Sequence, residues 1–336
     1  MLRRPVLALF LLFASYCFAS PQTEAEKTIQ AKSLAENVSF LAHPKMRGRG
    51  TLDSGYELPS AYLAKEMERL QLRPFGDGQK TNRSYLQEFS FTHLMVLPAK
   101  TRNVLGLLES KTKTEEIIII GAHYDHLGIN KKGEIYHGAD DNASGVAAVL
   151  AIAQALKIYR ERGGELKRSV LFAFWGAEEL GLAGSRHFAK HLTEGVKLEN
   201  IIAVINFDMI GRSQNNQLAV ITNPEGRLLR QVCPELFIAN ELANKNSELK
   251  LIYQDPRFQQ HFAFYRSDHY SFFLASPAGK KIPALFYNTG LHPDYHQPTD
   301  TPEKINYEAL EKISKHAFRV LVEICNLPNR PKYQEP

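Results

Sequence analysis

The sequence predicts an α/β fold: one globular domain around a mostly parallel, twisted sheet with helices on both faces. Three observations predict it. Strand-like and helix-like segments alternate from residue 116 onward. The strand segments are apolar throughout, as in "EIIIIGAH" and "IIAVINF", which is the pattern of parallel strands buried on both faces. Each of them also ends in a polar cluster, and in open α/β sheets sites collect at the carboxyl ends of the strands.

The chain begins with Arg3 and Arg4, an apolar run from Pro5 to Phe18, and small Ala19 and Ser20 before polar "PQTEAEK". This is the layout of a secretory signal peptide over residues 1–19, cleaved after Ala19, and it implies a secreted or periplasmic protein with no stable membrane insertion once the signal is removed. The apolar run is shorter than the ~20 residues a spanning helix needs. Tyr16 before Cys17 is too bulky for lipoprotein processing.

Residues 20–336 read as a single domain. Its 44% hydrophobic and 23% charged composition is that of an ordinary globular protein, and the formal charge of +5 is scattered without a basic stripe or reader motif, so no nucleic-acid partner is expected. Cys233 and Cys325 lie in a compartment that permits a disulfide, and the sequence leaves open whether they meet.

Residues 20–115 carry an N-terminal helical section and the first strands. Apolar residues at helical spacing mark helices over 23–43 and 57–71, joined by the basic, glycine-rich linker "HPKMRGRGTLDSG". Strands follow around Tyr85 to Leu94 and Asn103 to Leu108. In the core, 116–327, a strand ending at Gly121 precedes a buried helix from Ser144, a strand from Arg168, a helix over "LGLAGSRHFAKHL", a strand from Asn200, a strand in "KIPALFYNTG" and a closing helix from Thr301 with Pro302 in its first turn. The least regular stretch, 212–265, is expected as a lid over the site.

The polar clusters carry the chemistry. His123 and Asp125 end the first core strand, Glu178 and Glu179 follow the second, Asp208 the third, and "HPDYHQPTD" the last, with "GADDNASG" between the first strand and its helix. Unpaired carboxylates so close together repel strongly, so the set implies a bound cation. Two histidines with three or more carboxylates exceed the three ligands of a single catalytic zinc and suit a pair of ions sharing a carboxylate. Imidazole ligands favour zinc, cobalt or manganese over calcium or magnesium. Singly, each cluster has a bland alternative: a structural His-x-Asp pair, a solvated Glu-Glu loop, an aspartate capping a turn. Their recurrence at successive strand ends favours the metal.

In the order "GAHYDHLG", "GADDNASG", "GAEELGLAGS", "NFDMIG", "YRSDH" and "YHQPTDT", the chain from about Asn37 to Leu327 resembles the co-catalytic di-zinc exopeptidases, which include secreted bacterial aminopeptidases. The resemblance implies two Zn²⁺, replaceable by Co²⁺ or Mn²⁺, with Asp141 bridging them, Glu179 and His296 completing one position and His123 and Asp208 the other. Asp125 and Asp140 would stand behind these ligands, Asp125 orienting the His123 ring, and the Asp140–Asp141 peptide would be cis. Glu178 would be the general base, Tyr295 would stabilise the tetrahedral intermediate, and Arg266 would contact the substrate backbone. The implied activity is hydrolysis of the N-terminal peptide bond of peptides or protein N-termini by a bridging metal-bound water. Alternatives are a carboxypeptidase or dipeptidase on the same scaffold, or a non-catalytic binding protein that retains the fold. His126, His137, His269 and His292 read as structural or supporting groups, Asp268 and Asp300 as candidates to support the ligands, and Trp175 as core.

Overall fold

The computed structural model describes residues 20–79, 81–92, 98–112, 114–253 and 263–335. The expected signal peptide, 1–19, lies outside the described residues. The strands are β1 (Arg73–Pro74), β2 (Gly78–Gln79), β3 (Asn82–Arg83), β4 (Leu86–Phe91), β5 (Ala99–Leu108), β6 (Ile117–His123), β7 (Ser169–Trp175), β8 (Ile201–Phe207), β9 (Gln217–Ile221), β10 (Lys250–Ile252) and β11 (Ala284–Asn288).

The isoleucine run explains the architecture. β6 is buried at every position, and its side chains alternate between two cores: Ile118 and Ile120 join the larger, Ile117 and Ile119 the smaller. A strand with two apolar faces is stable only between two covering layers. Helices Pro21–Glu26, Ala31–Leu41, Gly145–Glu161 and Tyr307–Asn326 pack together over the first face, and Ala183–Lys190 and His269–Ala275 cover the second. The Ala139–Glu161 stretch is long and apolar enough to cross a membrane, but 72% of its apolar window is buried inside the protein.

The sheet runs β1-β5-β7-β6-β8-β11-β9-β10, with β4 also pairing β5. Its centre is parallel, β7-β6-β8-β11, as expected. Its flanks are not: β5 joins β7 and β9 joins β11 antiparallel, so the sheet as a whole is mixed. Parallel pairing in the centre puts the ends of β6, β7, β8 and β11 along one edge, where the polar clusters emerge.

Several expected boundaries move. Much of 212–265, expected as a possible lid, supplies β9 and β10 to the sheet edge and helix Pro234–Asn244, which packs on Tyr307–Asn326, while Gln214, Gln217 and Tyr265 line the cavity beside the polar clusters. Residues 254–262 lie outside the described residues, as does part of the strand expected to reach Leu94. The closing helix starts at Tyr307 rather than Thr301. Pro302–Lys304 is a separate turn, and Asn306 caps the helix by accepting from the Ala309 amide at 3.1 Å. Cys233 and Cys325 are both buried and free. Trp175 is core, packed between Phe188 and Phe272.

Candidate metal centre

The site is assembled by hydrogen bonds that tie one strand-end loop to the next. Residues 140–144 are zipped to the exit of β8: the Gly211 amide donates to Asp140 Oδ1 (2.6 Å), the Ile210 amide to Ser144 Oγ (3.2 Å), and Asn142 Nδ2 to the Phe207 carbonyl (2.8 Å). This brings Asp141 beside Asp208. The Asp300 carboxylate accepts from the amides of Asp140 (3.0 Å) and Asp141 (3.1 Å), which ties the segment that carries His296 to the same loop. The non-proline cis peptide is Asp141–Asn142, one bond further on than the expected Asp140–Asp141.

Asp141 is central. Its Oδ1 lies 3.3 Å from His123 Nε2 and its Oδ2 lies 3.2 Å from His296 Nε2. On the first side, His123 Nε2 is also 3.3 Å from Asp208 Oδ1, and Ser267 Oγ donates to Asp208 Oδ2 (2.8 Å). On the second, Glu179 Oε2 lies 3.2 Å from His296 Nε2, while Glu179 Oε1 lies 2.8 Å from His126 Nδ1. Two groups of possible ligand atoms thus share Asp141: His123, Asp141 and Asp208, and His126, Asp141 and Glu179, each set of atoms within 4.8 Å of one another.

The five expected ligands therefore come together, and His126, read as a supporting group, stands among them. Asp125, expected to orient the His123 ring, keeps its carboxylate 3.8 Å from Nδ1. Its backbone carbonyl is 3.2 Å from His123 Nδ1, whereas its carboxylate accepts from the amides of Glu178 (2.9 Å) and Glu179 (3.4 Å) and so shapes the turn after β7. Asp140 faces away from the cluster, toward Gly211 and His292 Nε2 (3.1 Å). Tyr295 stacks on the His296 ring, centroids 3.8 Å apart, and lines the cavity with Glu178 and Arg266. Asp268 is fully buried beside the cluster, and among the described residues neither carboxylate oxygen has a hydrogen-bond partner.

Sequence reasoning missed Arg49. In the presumed linker, it is fully buried, and all five of its N–H groups donate to carbonyls: Nε to Tyr124 (2.7 Å), Nη1 to Leu41 (2.9 Å) and His137 (2.8 Å), Nη2 to Gly138 (2.8 Å) and Asp141 (3.2 Å). Burial lowers its pKa to about 10, opposed by Asp141, Asp300, Asp125 and Glu179, so it stays cationic at neutral pH. Gly138 is required here. It has φ +56°, and a Cβ would meet the Asp141 carbonyl at 2.1 Å and Arg49 Nη2 at 2.6 Å.

Electrostatics match a cation site. Burial pushes the Glu178 carboxyl well above its ordinary range, with Glu179, Asp208 and Asp268 adding to the shift against the opposing pull of His123. Burial disfavours a charged His296, yet hydrogen bonds to Asp141 and Glu179 carry its pKa up to about 10. Several buried carboxylates facing three imidazoles are a donor set that mixes nitrogen and oxygen, which suits a borderline transition-metal ion. His126 Nε2 is buried and without a partner among the described residues, so that ring has a nitrogen to spare. Backbone strain gathers at the same edge: Ala177, Leu182, Met209 and His296 all have positive φ.

An α/β sheet with a His–carboxylate cluster at the ends of its central strands, opening into a cavity of about 880 Å³, defines a candidate metallohydrolase. The model of peptidase family M28 matches residues 103–321, and the chain belongs to that family. Among curated relatives it is similar to aminopeptidase YwaD of Bacillus subtilis (26% identity over 235 residues, 69% of this chain and 46% of the relative). It is likewise similar to a probable lipoprotein aminopeptidase, LpqL, of Mycobacterium tuberculosis (33% over 239 residues, 63% and 43%). The chain thus spans about half the length of the curated relatives it matches. Solved structures share the fold: BSAP, a zinc aminopeptidase from Bacillus subtilis (TM-score 0.64, 17% identity, 87% of this chain and 94% of that one), and the LapA aminopeptidase of Legionella pneumophila (0.66, 20%, 91% and 75%).

Proposed function

We propose that the protein is an exported zinc aminopeptidase that removes the N-terminal residue of peptides. The observation that carries this reading is the division of Asp141 between two ligand groups, with Oδ1 toward His123 and Oδ2 toward His296, as a carboxylate shared by two ions requires. His123 and Asp208 would hold one ion, and Glu179 and His296, with His126 beside them, the other. Two zinc ions bound there would polarise the scissile carbonyl and acidify the attacking water.

The remaining roles belong to the chain. Glu178 stays free of the ligand groups and is the base that takes the proton of the water and returns it to the leaving amine. Its burial favours the protonated form that makes the return step possible. Tyr295 keeps its phenol proton, because burial first and Asp141 and Glu179 next push its pKa up, and it donates to the oxygen of the tetrahedral carbon. Arg266, exposed at the cavity wall, contacts the substrate backbone.

Both curated relatives bear aminopeptidase names, which supports the choice among exopeptidases. The test is a panel of peptides with free N-termini, blocked N-termini and blocked C-termini, assayed with and without chelator. Cleavage of every peptide with a free N-terminus, and loss of activity on chelation, is expected. Cleavage that needs a free C-terminus would make it a carboxypeptidase, and no cleavage with metal bound would make it a binding protein. N-terminal sequencing of protein recovered outside the cytoplasm should begin at Ser20.

A further inference from the structure

The cavity beside the ligand groups has an uneven charge. Its acidic lining residues, among those described, are Asp141, Glu178, Glu179 and Asp208, all within the cluster. Its basic ones are three arginines, each carried by the segment that follows or supports a cluster residue. Arg186 lies in helix Ala183–Lys190 after Glu179, Arg212 lies four residues beyond Asp208, and Arg266 adjoins Ser267, which donates to Asp208.

Arg212 is the most constrained of the three. Its Nη2 donates to Asp294 Oδ2 at 3.1 Å, but Asp294 is shared with Thr299 and with Lys304, so this one carboxylate faces two cations. Arg212 Nη1 is buried with no hydrogen-bond partner among the described residues. A buried guanidinium donor left unpaired costs free energy, which is recovered when the Arg212 head turns toward a ligand oxygen in the cavity. Once cations neutralise the cluster, the described lining residues keep a surplus of guanidinium groups, whose planar forks suit carboxylates.

We infer that this cavity selects peptides bearing a carboxylate one or two residues from the cleaved bond, held by Arg212 with Arg186 and Arg266. The carboxylate is either an acidic side chain near the N-terminus or the C-terminal carboxylate of a dipeptide or tripeptide. A residue spans about 3.5 Å when extended, and a cavity of about 880 Å³ has room for a peptide of that length. The inference rests on the aminopeptidase reading for its substrate class, and binding tests it separately from turnover.

The probes are Ala-Ala-amide, Ala-Gln-amide, Ala-Glu-amide and Ala-Ala with a free carboxylate. KM is read on the zinc-loaded protein, and Kd by calorimetry on the zinc-loaded Glu178→Gln variant. A charge-assisted contact predicts roughly 10-fold or tighter binding and a correspondingly lower KM for at least one carboxylate peptide over its neutral match, shrinking as salt is raised. Ala-Glu-amide and Ala-Ala separate the side-chain source from the C-terminal one. Arg212→Gln should bring the ratio close to one, and the exposed Arg186→Gln should reduce it without endangering the fold. Equal Kd for matched carboxylate and neutral peptides would overturn the inference, as would a ratio that survives both substitutions. If carboxylate peptides bind preferentially but none is cleaved by the unmodified protein, the inference stands and the aminopeptidase reading falls.

Discussion

His126 Nδ1 lies 2.8 Å from Glu179 Oε1, while His296 Nε2 approaches the other oxygen, Oε2, at 3.2 Å. Two imidazoles thus grip the two oxygens of one glutamate, and the second nitrogen of the His126 ring is free among the described residues. Whether it ligates or only orients Glu179, its removal acts on the metal. His126→Ala is expected to weaken zinc binding at the Glu179 position about 10–100-fold, the usual range for a supporting group around a metal, measured by titration against a competing chelator. Unchanged affinity would reduce the contact to packing.

The adjacent glutamates should separate cleanly. Glu178→Gln keeps shape and removes basicity, so kcat should fall roughly 10²–10⁴-fold, the range of general acid–base catalysis, while zinc content stays unchanged. Glu179→Gln should lose zinc from one position. Zinc analysis and kinetics on both variants check this, and the reverse pattern would exchange the two roles.

Arg49→Met is expected to destabilise the protein even after chelation. Five carbonyls from three segments lose the Arg49 donor at once, Gly138 keeping a second donor in the Ala143 amide, and a methionine returns none of those bonds. A loss of at least ~3 kcal/mol is expected by analogy with one-sided removal of a buried charge. At an unfolding entropy of about 2.1 cal/mol/K per residue over roughly 320 residues, this lowers Tm by about 4–5 °C. Thermal unfolding of the chelated variant is the measurement, and a shift under about 3 °C on that scaling would refute the assignment.

Zinc binding should release protons. Without metal, His296 titrates near 10, because its contacts with Asp141 and Glu179 outweigh the burial that disfavours its charge. His123 is likewise raised: burial opposes the charge, but Asp208 and Glu178 prevail. His296 is then protonated at pH 7.5 and must become neutral to ligate, and the raised His123 adds to the same requirement, so affinity rises with pH until His296 has passed its pKa of about 10. Calorimetry in two buffers of different ionisation enthalpy should register a release of about one to two protons, following from those shifts. Zero release would mean that neither ring changes protonation on binding.

Much of this was legible because it depends on local pattern. Ile117 to Ile120 declares a doubly buried strand without reference to any other residue, and a strand of that kind requires covering layers, hence helices and a parallel centre. The clusters with His123, Glu178, Glu179 and Asp208 were legible because strand ends in a parallel sheet converge whatever the loop details, whereas Asp141 and His296 were singled out within theirs by the resemblance to the di-zinc exopeptidases. The antiparallel flanks were not legible. β9 and β10 lie in the least regular part of the chain, and their direction is set by pairing, β9 antiparallel to β11 and β10 parallel to β9, rather than by their own composition.

By itself, the sequence determined the fold class, the edge of the sheet that carries the site, and the residue types that gather there. The tertiary structure alone decided how those groups face one another. Arg49 reads as part of a basic linker because its partners are backbone carbonyls, at positions up to 92 residues away, that have no sequence signature. His126 reads as a structural or supporting group until the loop after β6 folds against the turn after β7 and sets it on Glu179, and Asp125 reveals its grip on the Glu178 and Glu179 amides only in that packing. Side-chain identity is a local property, whereas the distance between two loops is set by every hydrogen bond and packed residue between them.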